Sequence, residues 1–322
     1  MTAPGVTTTT ANKIDPTDLK YQLNKVFQPD KESLWTYPKE SDGWVHAHNS
    51  IRTEMTMLEE CFLAIESQAV NGNSGSPEQE GDNKSNKSLQ EWQVKSLKTI
   101  FAAHYTHVHE HHTNEDAIMT PALEKRIQYP AKLTDDHEGL VMQLEHLNNV
   151  VKALKAGDDT ATTMMSLLKD FRSYHANMKE HLQEEEDIGL PLMRAYFEPA
   201  EMAKIVQQIL QKTPKVRAVL HYTVLWFCSM GVCYCIIVLT HYYSSSYYYY
   251  FQLELGGFIY HMGADRFRSE FMKQEGIPFF VWYLEFGSSL KLYQTQVIDS
   301  VTALKSGVEP TSQKAGVFGC MG

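Results

Sequence analysis

Apolar residues recur three and four positions apart along four stretches of the chain, which is the spacing of one face of an α-helix. The first stretch begins at Trp44, and the others span residues 97–118, 133–154 and 164–188. No segment between residues 44 and 195 alternates apolar and polar positions, so the pattern does not require strands there. Four amphipathic helices with narrow apolar faces predict an all-α fold, an up-down-up-down four-helix bundle over residues 44–195.

The segments outside these helices divide the chain further. Residues 1–43 contain four prolines and predict an irregular N-terminal arm, and residues 71–88 contain no apolar residue and predict a disordered linker between two helices of the bundle. Residues 196–304 predict a C-terminal helical extension, which we expect to pack on the bundle and cover its interior. Residues 305–322 predict a disordered tail.

One stretch of the extension, residues 216–252, is a suspect hydrophobic insert. Residues 218–239 carry no Lys, Arg, Asp or Glu and are long enough to cross a membrane, and residues 241–252 read HYYSSSYYYYFQ. Codons for Tyr, Ser and Phe can be pyrimidine-rich, as the tract near the end of an intron is. The residues at the two borders of the stretch can be encoded by the sequences that mark the beginning and the end of an intron. We hypothesise that residues 216–252 are translated from a retained intron, with a membrane span or a buried helix as the alternatives. A translated message that keeps these codons would overturn the hypothesis.

Charge and cysteine usage exclude several classes of protein. The chain has 39 acidic and 29 basic residues, a formal net charge of −10, and a nucleic-acid binder needs clustered Lys and Arg, so we expect no nucleic-acid partner. The five cysteines form no CxxC pair, which argues against a thiolate zinc site and a disulfide framework. No apolar signal segment opens the chain, so we expect a cytoplasmic protein, or a single-pass membrane protein if residues 218–239 are a genuine span.

Histidine is the residue type whose pattern indicates a specific chemistry. The chain has 14 histidines, and each predicted helix places one of them on its apolar face. Two of these are followed four residues later by a glutamate, which puts an imidazole and a carboxylate one turn apart on one helical face. Burying such groups is costly unless they pair or coordinate something. The pattern therefore predicts two divalent metal ions, for which imidazole and carboxylate ligands suit iron, manganese or zinc. The candidate ligands are His48, His111, Glu115, His137, His181 and Glu185.

The second and fourth helices repeat one another at an offset of 181 − 111 = 70 residues. Both carry His, three residues, an acid, five residues and Pro, which suggests two pseudo-equivalent halves with a site at their junction. No histidine has a glutamate three residues before it, so the Glu-x-x-His pattern of ferritin-like bundles is absent.

The remaining histidines of these helices are expected to play lesser roles. His46 lies about 200° around the helix from His48, so we expect it on the surface. We expect His109 and His112 to point away from His111. His104 and His107 share the face of His111, and are candidates for residues that support the ligands or line an entrance.

Four segments together resemble the helical signatures of hemerythrin-like (HHE cation-binding) domains: DGWVHAHNSIR (42–52), HHTNEDAIMTPAL (111–123), DDHEGL (135–140) and HLQEEEDIGLPL (181–192). The resemblance covers residues 44–195. It implies a non-haem di-iron centre of two iron ions, rather than manganese or zinc, held by the six candidate ligands. It also implies that Glu115 and Glu185 bridge the two ions, and that the partner is dioxygen or a small oxidant.

One position departs from the pattern of the oxygen-carrying hemerythrins, which have a further histidine where this chain has Val141. The spacing leaves open whether His107 or Glu138 supplies the ligand in place of that missing histidine. An open coordination position suits peroxide or substrate chemistry as well as reversible oxygen carriage.

Three functions follow as hypotheses. The first, which we favour over an enzyme, is a di-iron protein that binds or senses dioxygen or iron. The second is a di-iron oxidoreductase that acts on peroxide, nitric oxide or ferrous iron. The third is a structural or membrane adaptor with zinc or no metal, for which the symmetric pairing of six ligands gives less support because structural zinc needs only four.

Overall fold

The computed structural model describes residues 18–21, 34–71, 88–211 and 246–310. These residues are mostly helical and form no strand, apart from one isolated antiparallel bridge between Ser88 and Asp159. The all-α prediction is confirmed. The predicted arm, linker, hydrophobic insert and tail lie wholly or largely outside the described residues, and those predictions stay predictions.

The four long helices predicted from the apolar spacing are present. Every one of the four contacts two others, so that α1 packs on α2 and α5, and α4 also packs on α2 and α5. A short helix, α3, lies between α2 and α4. The bounds are α1 Gly43–Asn71, α2 Glu91–Asn114, α3 Thr120–Leu123, α4 Ala131–Ala153 and α5 Thr160–Glu184.

Apolar side chains from all four long helices form the core between them. Each such residue contributes about 1.5–3 kcal/mol when it leaves water. The rings of Phe62 and Phe171 meet edge-on with centroids 5.2 Å apart. Fully buried members from the four helices include Leu58, Phe62, Phe101, Leu144 and Phe171.

Local sequence fixes where two of these helices begin. At the start of α2, the Gln93 side chain accepts a hydrogen bond from the Gln90 backbone N–H at 2.9 Å, as part of a capping box. At the start of α5, Asp159 Oδ1 accepts from the Thr162 backbone N–H at 2.8 Å. These two starts lie together, because the Leu89 N–H donates to the Asp158 carbonyl at 2.9 Å.

Each of the two repeated motifs ends in a wide, π-helical turn. The turns are Glu115–Met119 and Glu185–Gly189, and in each the N–H of the following residue donates to the glutamate carbonyl five residues earlier. The next residue is Pro121 or Pro191, which has no N–H to give the carbonyl four residues before it, so the α-helical pattern cannot continue unchanged. Such turns are frequent at functional sites.

The extension consists of helices that pack on the α1 and α2 side of the bundle. Its helices α8 and α12 both contact α1 and α2, and α7 contacts the turn Glu115–Met119. Buried residues of the extension, among them Tyr293 and Leu304, belong to the same core as the bundle. The bounds are α6 Leu190–Tyr196, α7 Pro199–Gln211, α8 Ser246–Met262, α9 Ala264–Arg266, α10 Met272–Gln274, α11 Gly287–Tyr293 and α12 Asp299–Ser306.

Among the helices that the structure describes, none is both long enough and apolar enough to cross a membrane. The candidate span, residues 218–239, lies outside the described residues. Only the end of the suspect insert is described, where residues 246–252 form the first turns of α8.

Candidate metal centre

All six predicted ligands lie together at one end of the bundle. His48 and His137 come from the first two turns of α1 and α4, whereas His111 and His181 come from the last turn of α2 and α5. The two glutamates open the π-helical turns that follow. Every one of these side chains is at most 9% exposed, so the cluster is buried.

Each carboxylate lies between imidazoles of different helices. Glu185 Oε2 is 3.3 Å from His48 Nε2, and Glu185 Oε1 is 3.6 Å from His137 Nε2 and 3.5 Å from His181 Nε2. Glu115 Oε1 is 3.2 Å from His111 Nε2, and Glu115 Oε2 is 3.6 Å from His137 Nε2. Both glutamates thus face His137 from one direction and other imidazoles from another.

The donor atoms of the cluster fall into two groups, and within each group they all lie within 4.8 Å of one another. One group holds His48, His111, Glu115 and Glu185, and the other holds His112, His137 and His181. The two groups adjoin one another, because both glutamates also lie 3.6 Å from His137. Such an arrangement fits two neighbouring cations with carboxylates between them.

The inward-facing atoms make no hydrogen bond with any described residue. They are Nε2 of His48, His111, His137 and His181, together with Oε2 of Glu115 and Glu185. Buried polar atoms nearly always have a partner, so a set of orphaned donors that all face one point fits a metal site.

The outward-facing ring nitrogens of His48 and His137, by contrast, are held by carboxylates. His48 Nδ1 donates to Glu186 Oε1 at 2.9 Å, and the same oxygen accepts from Arg52 Nη1 at 2.7 Å. His137 Nδ1 donates to Asp116 Oδ1 at 2.8 Å. These bonds leave Nε2 of each ring free to coordinate, which is the usual arrangement of histidine ligands.

The sequence analysis did not identify the two supporting acids, Glu186 and Asp116. Each follows directly after a ligand glutamate, and that adjacency is the signal that could have found them. A third supporting residue is Trp44, whose Nε1–H donates to Glu115 Oε1 at 2.6 Å.

The two carboxylates affect one another's ionisation. Burial and the nearby charge of Glu185 raise the pKa of Glu115 to about 7. Burial acts on Glu185 in the same direction, but the nearby imidazoles of His137 and His48 hold its pKa well below the usual range. Cations between the carboxylates would let both of them ionise fully.

Burial keeps two of the imidazoles neutral. It lowers the pKa of His111 and of His112 well below the usual value, and neighbouring imidazoles lower both further. Neutral imidazole is the form that coordinates a metal.

His112 corrects the prediction that it points away from the site. It is 2% exposed, its ring stacks on His137 with centroids 4.3 Å apart, and it meets His181 edge-on at 5.5 Å. Although it is about 100° around the helix from His111, it lies three residues before Glu115 and therefore on the same side as that carboxylate. The prediction failed because one helix can contribute side chains to both donor groups, from two adjacent directions.

His46 corrects the expectation that it lies on the surface. It is 6% exposed, and burial lowers its pKa, as does the charge of Arg266 from the extension. The extension also covers the neighbouring Gly43, where a Cβ atom would lie 2.9 Å from Phe271 Cε2. The second face of α1 is thus buried by residues more than 200 positions later in the chain, which helical periodicity does not reveal.

The three candidate supporting residues have different positions. His104 and His107 are buried but belong to neither donor group, and the Nδ1 of each lies 3.1 Å from Glu54 Oε2. The other nitrogen of His104 lies 3.0 Å from the Tyr174 hydroxyl. Glu138 is exposed, so the structure does not support it as a group that fills the gap at Val141.

Comparison with known proteins agrees with this site. Residues 40–193 match the family model of the hemerythrin HHE cation binding domain. That range contains every residue of the two donor groups. No curated protein and no solved structure matches the chain. The four sequence signatures predicted this match to the hemerythrin HHE cation binding domain, and the extension lies beyond the matched range.

Proposed function

We propose that this protein holds two iron ions in the buried His and Glu cluster and uses them to bind or sense dioxygen or iron. The observation that carries the proposal is the pair of adjoining donor groups, with Glu115 and Glu185 facing imidazoles on more than one side. When bound, iron would supply the redox and oxygen-binding chemistry that imidazole and carboxylate side chains lack.

The proposed ligand set has seven members rather than six. In addition to the six ligands predicted from sequence, His112 contributes an imidazole from α2, beside His137. We propose that it supplies the nitrogen that is missing at Val141. The residues that hold the rings in place are Glu186 and Asp116, and the Trp44 indole fixes one oxygen of Glu115.

We also propose the up-down-up-down arrangement for the four long helices. Its support is that α1 and α4 reach the cluster with their first turns, whereas α2 and α5 reach it with their last. The starts of α2 and α5 meet elsewhere, through Leu89 and Asp158. Helices that alternate in direction satisfy both observations.

A second candidate function is a di-iron oxidoreductase that acts on peroxide, nitric oxide or ferrous iron. The observation that favours it is a cavity of about 200 Å³ that is lined by two of the proposed ligands, His111 and Glu115. Such a cavity gives a small substrate a place beside the cations.

Iron content tests the first proposal. We expect the purified protein to contain two iron ions per chain by elemental analysis, and His111→Ala to lose most of the iron because a ligand nitrogen is removed. The matched control is His146→Ala, because His146 is a largely exposed histidine of α4 that belongs to neither donor group. Stoichiometric zinc in the wild type, or unchanged iron in His111→Ala, would refute the proposal.

A spectroscopic measurement separates the two functions. A binding or sensing protein should show a stoichiometric spectral change with dioxygen that reverses when the gas is removed. Steady-state consumption of peroxide or dioxygen by the iron-loaded protein would instead establish the oxidoreductase.

A further inference from the structure

The cavity beside the metal centre is built jointly by the hemerythrin domain and the extension. It measures about 200 Å³, and its lining is mostly apolar. The extension contributes Leu255, Phe258 and Phe271 to the lining, and all three lie beyond the residues that match the family. An apolar cavity of about 150 Å³ is enough to bind benzene, so this one has room for a single aromatic ring with a short chain.

Acidic side chains predominate among the charged groups of the lining. Glu110, Glu254 and Glu275 all line the cavity, and the lining contains no Lys or Arg from the described residues. Asp42 also lines it, but the Arg194 guanidinium lies 3.6 Å from that carboxylate and offsets part of its charge. A ligand with a negative charge is therefore disfavoured, and one with a positive charge is favoured.

Glu275 is the lining carboxyl that most needs a partner. It is 5% exposed, and its Oε2 makes no hydrogen bond with any described residue. Burial, together with the charge of Asp42, raises its pKa to about 7. Burying a carboxyl without a cation is costly, and a positive charge from a ligand would remove that cost.

Aromatic rings complete the surroundings. Trp35, Tyr37 and Trp44 line the cavity together with the phenylalanines of the extension. Aromatic faces attract ammonium groups as well as apolar bodies, and the combination of rings with a carboxylate is typical of sites for organic cations.

We propose that this cavity binds a small arylalkylamine. Its ammonium group would pair with the carboxylate of Glu275, and its ring would pack among the apolar side chains of the extension, such as Phe258 and Phe271. The proposal does not depend on which metal occupies the neighbouring cluster, or on whether the protein is a sensor or an oxidoreductase.

Calorimetric titration of the full-length, metal-loaded protein tests the proposal with three probes of similar size. They are 2-phenylethylamine, the neutral 2-phenylethanol and the anionic 3-phenylpropanoate. We expect the amine to bind at least about tenfold more tightly than the alcohol. A charge-assisted hydrogen bond contributes more binding free energy than a tenfold change in affinity requires. We expect the carboxylate not to bind.

Variants assign the binding to the cavity. Glu275→Gln should weaken amine binding by about tenfold or more and leave alcohol binding unchanged, because only the charge is removed. The matched control is Glu270→Gln, since Glu270 pairs with Arg266 at the surface and does not line the cavity. Ala203→Phe, which fills the cavity from α7, should abolish binding of both probes without changing the metal content.

Three results would overturn the proposal. They are no amine binding to the wild type, equal binding of amine and alcohol, and amine binding that survives Glu275→Gln but disappears when the metal is removed by a chelator. The last result would mean that the amine nitrogen coordinates the metal. Because iron content is measured separately, a failure here is distinguishable from a failure of the proposed iron centre.

Discussion

Glu275 shows how a single buried carboxyl couples stability to pH. Its pKa of about 7 lies above the ordinary value of 4.5, so the folded protein holds this proton more tightly than the unfolded chain does. The wild type therefore loses stability from this group as the pH rises from 4.5 to 7. Such a cost is typical of residues that are kept for binding rather than for folding.

Glu275→Gln should remove that loss. We expect the free energy of unfolding of the variant, relative to that of the wild type, to rise by up to about 3 kcal/mol between pH 5 and pH 8. This value follows because each unit of pKa difference between the folded and unfolded states corresponds to about 1.4 kcal/mol. Urea denaturation at both pH values measures it. Glu270→Gln, the surface control, should show no such trend, and a difference for Glu275→Gln that is the same at both pH values would contradict the argument.

The position of a residue could be predicted when the residues around it belong to its own helix, and could not when they come from a distant part of the chain. His48, His111, His137 and His181 were found because each interrupts an apolar stripe of its own helix. His46 was misplaced, because its cover comes from the distant extension. The support that His104 and His107 receive from Glu54 was not predicted, since that carboxyl lies on another helix and no local spacing reports it.

At the scale of elements, the π-helical turns fix how the carboxylates meet the neighbouring helix. Gly189, the last residue of the second turn, packs against Tyr129 and Trp44 so closely that a Cβ atom would lie 2.7 Å from the Tyr129 hydroxyl and 2.9 Å from Trp44 Cη2. Trp44 in turn donates to Glu115. The contact thus connects the turn of one half to the carboxylate of the other.

We expect Gly189→Ala to destabilise the protein by about 1–3 kcal/mol, because the extra methyl must displace two large rings. It should also lower the iron content, since Trp44 can no longer hold Glu115. Gly139→Ala is the matched control: Gly139 lies in α4, and no atom lies within 4 Å of the place that an added methyl would take, so the change should be neutral or stabilise by up to about 1 kcal/mol. Thermal unfolding and elemental analysis measure both, and equal effects of the two variants would refute the packing argument.

Periodicity predicted the long helices well, because each buries one stripe against the others. It could not predict the π-helical turns, since the prolines of the motif indicate only that a helix bends or ends. The exact hydrogen bonds that replace the α-helical pattern depend on what the turn packs against, and that is set by tertiary structure.

At the scale of the whole molecule, the extension is part of the core rather than an appendage. Its residues Leu253, Tyr293, Val297 and Leu304 are at most 1% exposed and belong to the bundle core. The Tyr293 hydroxyl also donates to Glu54 Oε1 at 3.5 Å, which links the extension to the network of His104 and His107. Residues that match the family therefore depend for their packing on residues that do not.

A chain that ends at residue 195 should consequently fail to fold stably. Removing these four apolar side chains takes away the burial that they contribute to the bundle core, about 6–12 kcal/mol at 1.5–3 kcal/mol each, which is comparable with the whole stability of a typical domain. We expect loss of a cooperative thermal transition by circular dichroism. A chain that ends at residue 310 keeps these residues and should unfold like the full-length protein, whereas cooperative unfolding of the shorter chain would refute the prediction.

The wide turns also bear on how such a motif can change in evolution. Adding or deleting one residue between the histidine and the proline would rotate everything beyond it by about 100°, and a change before the glutamate would take the carboxylate out of the cluster. Exchanging an intervening side chain for another of similar size has no such effect. The interval of nine residues between histidine and proline is therefore what selection must preserve, together with the residues inside it that build the cluster, which are the two glutamates, His112, Asp116, Glu186 and Gly189.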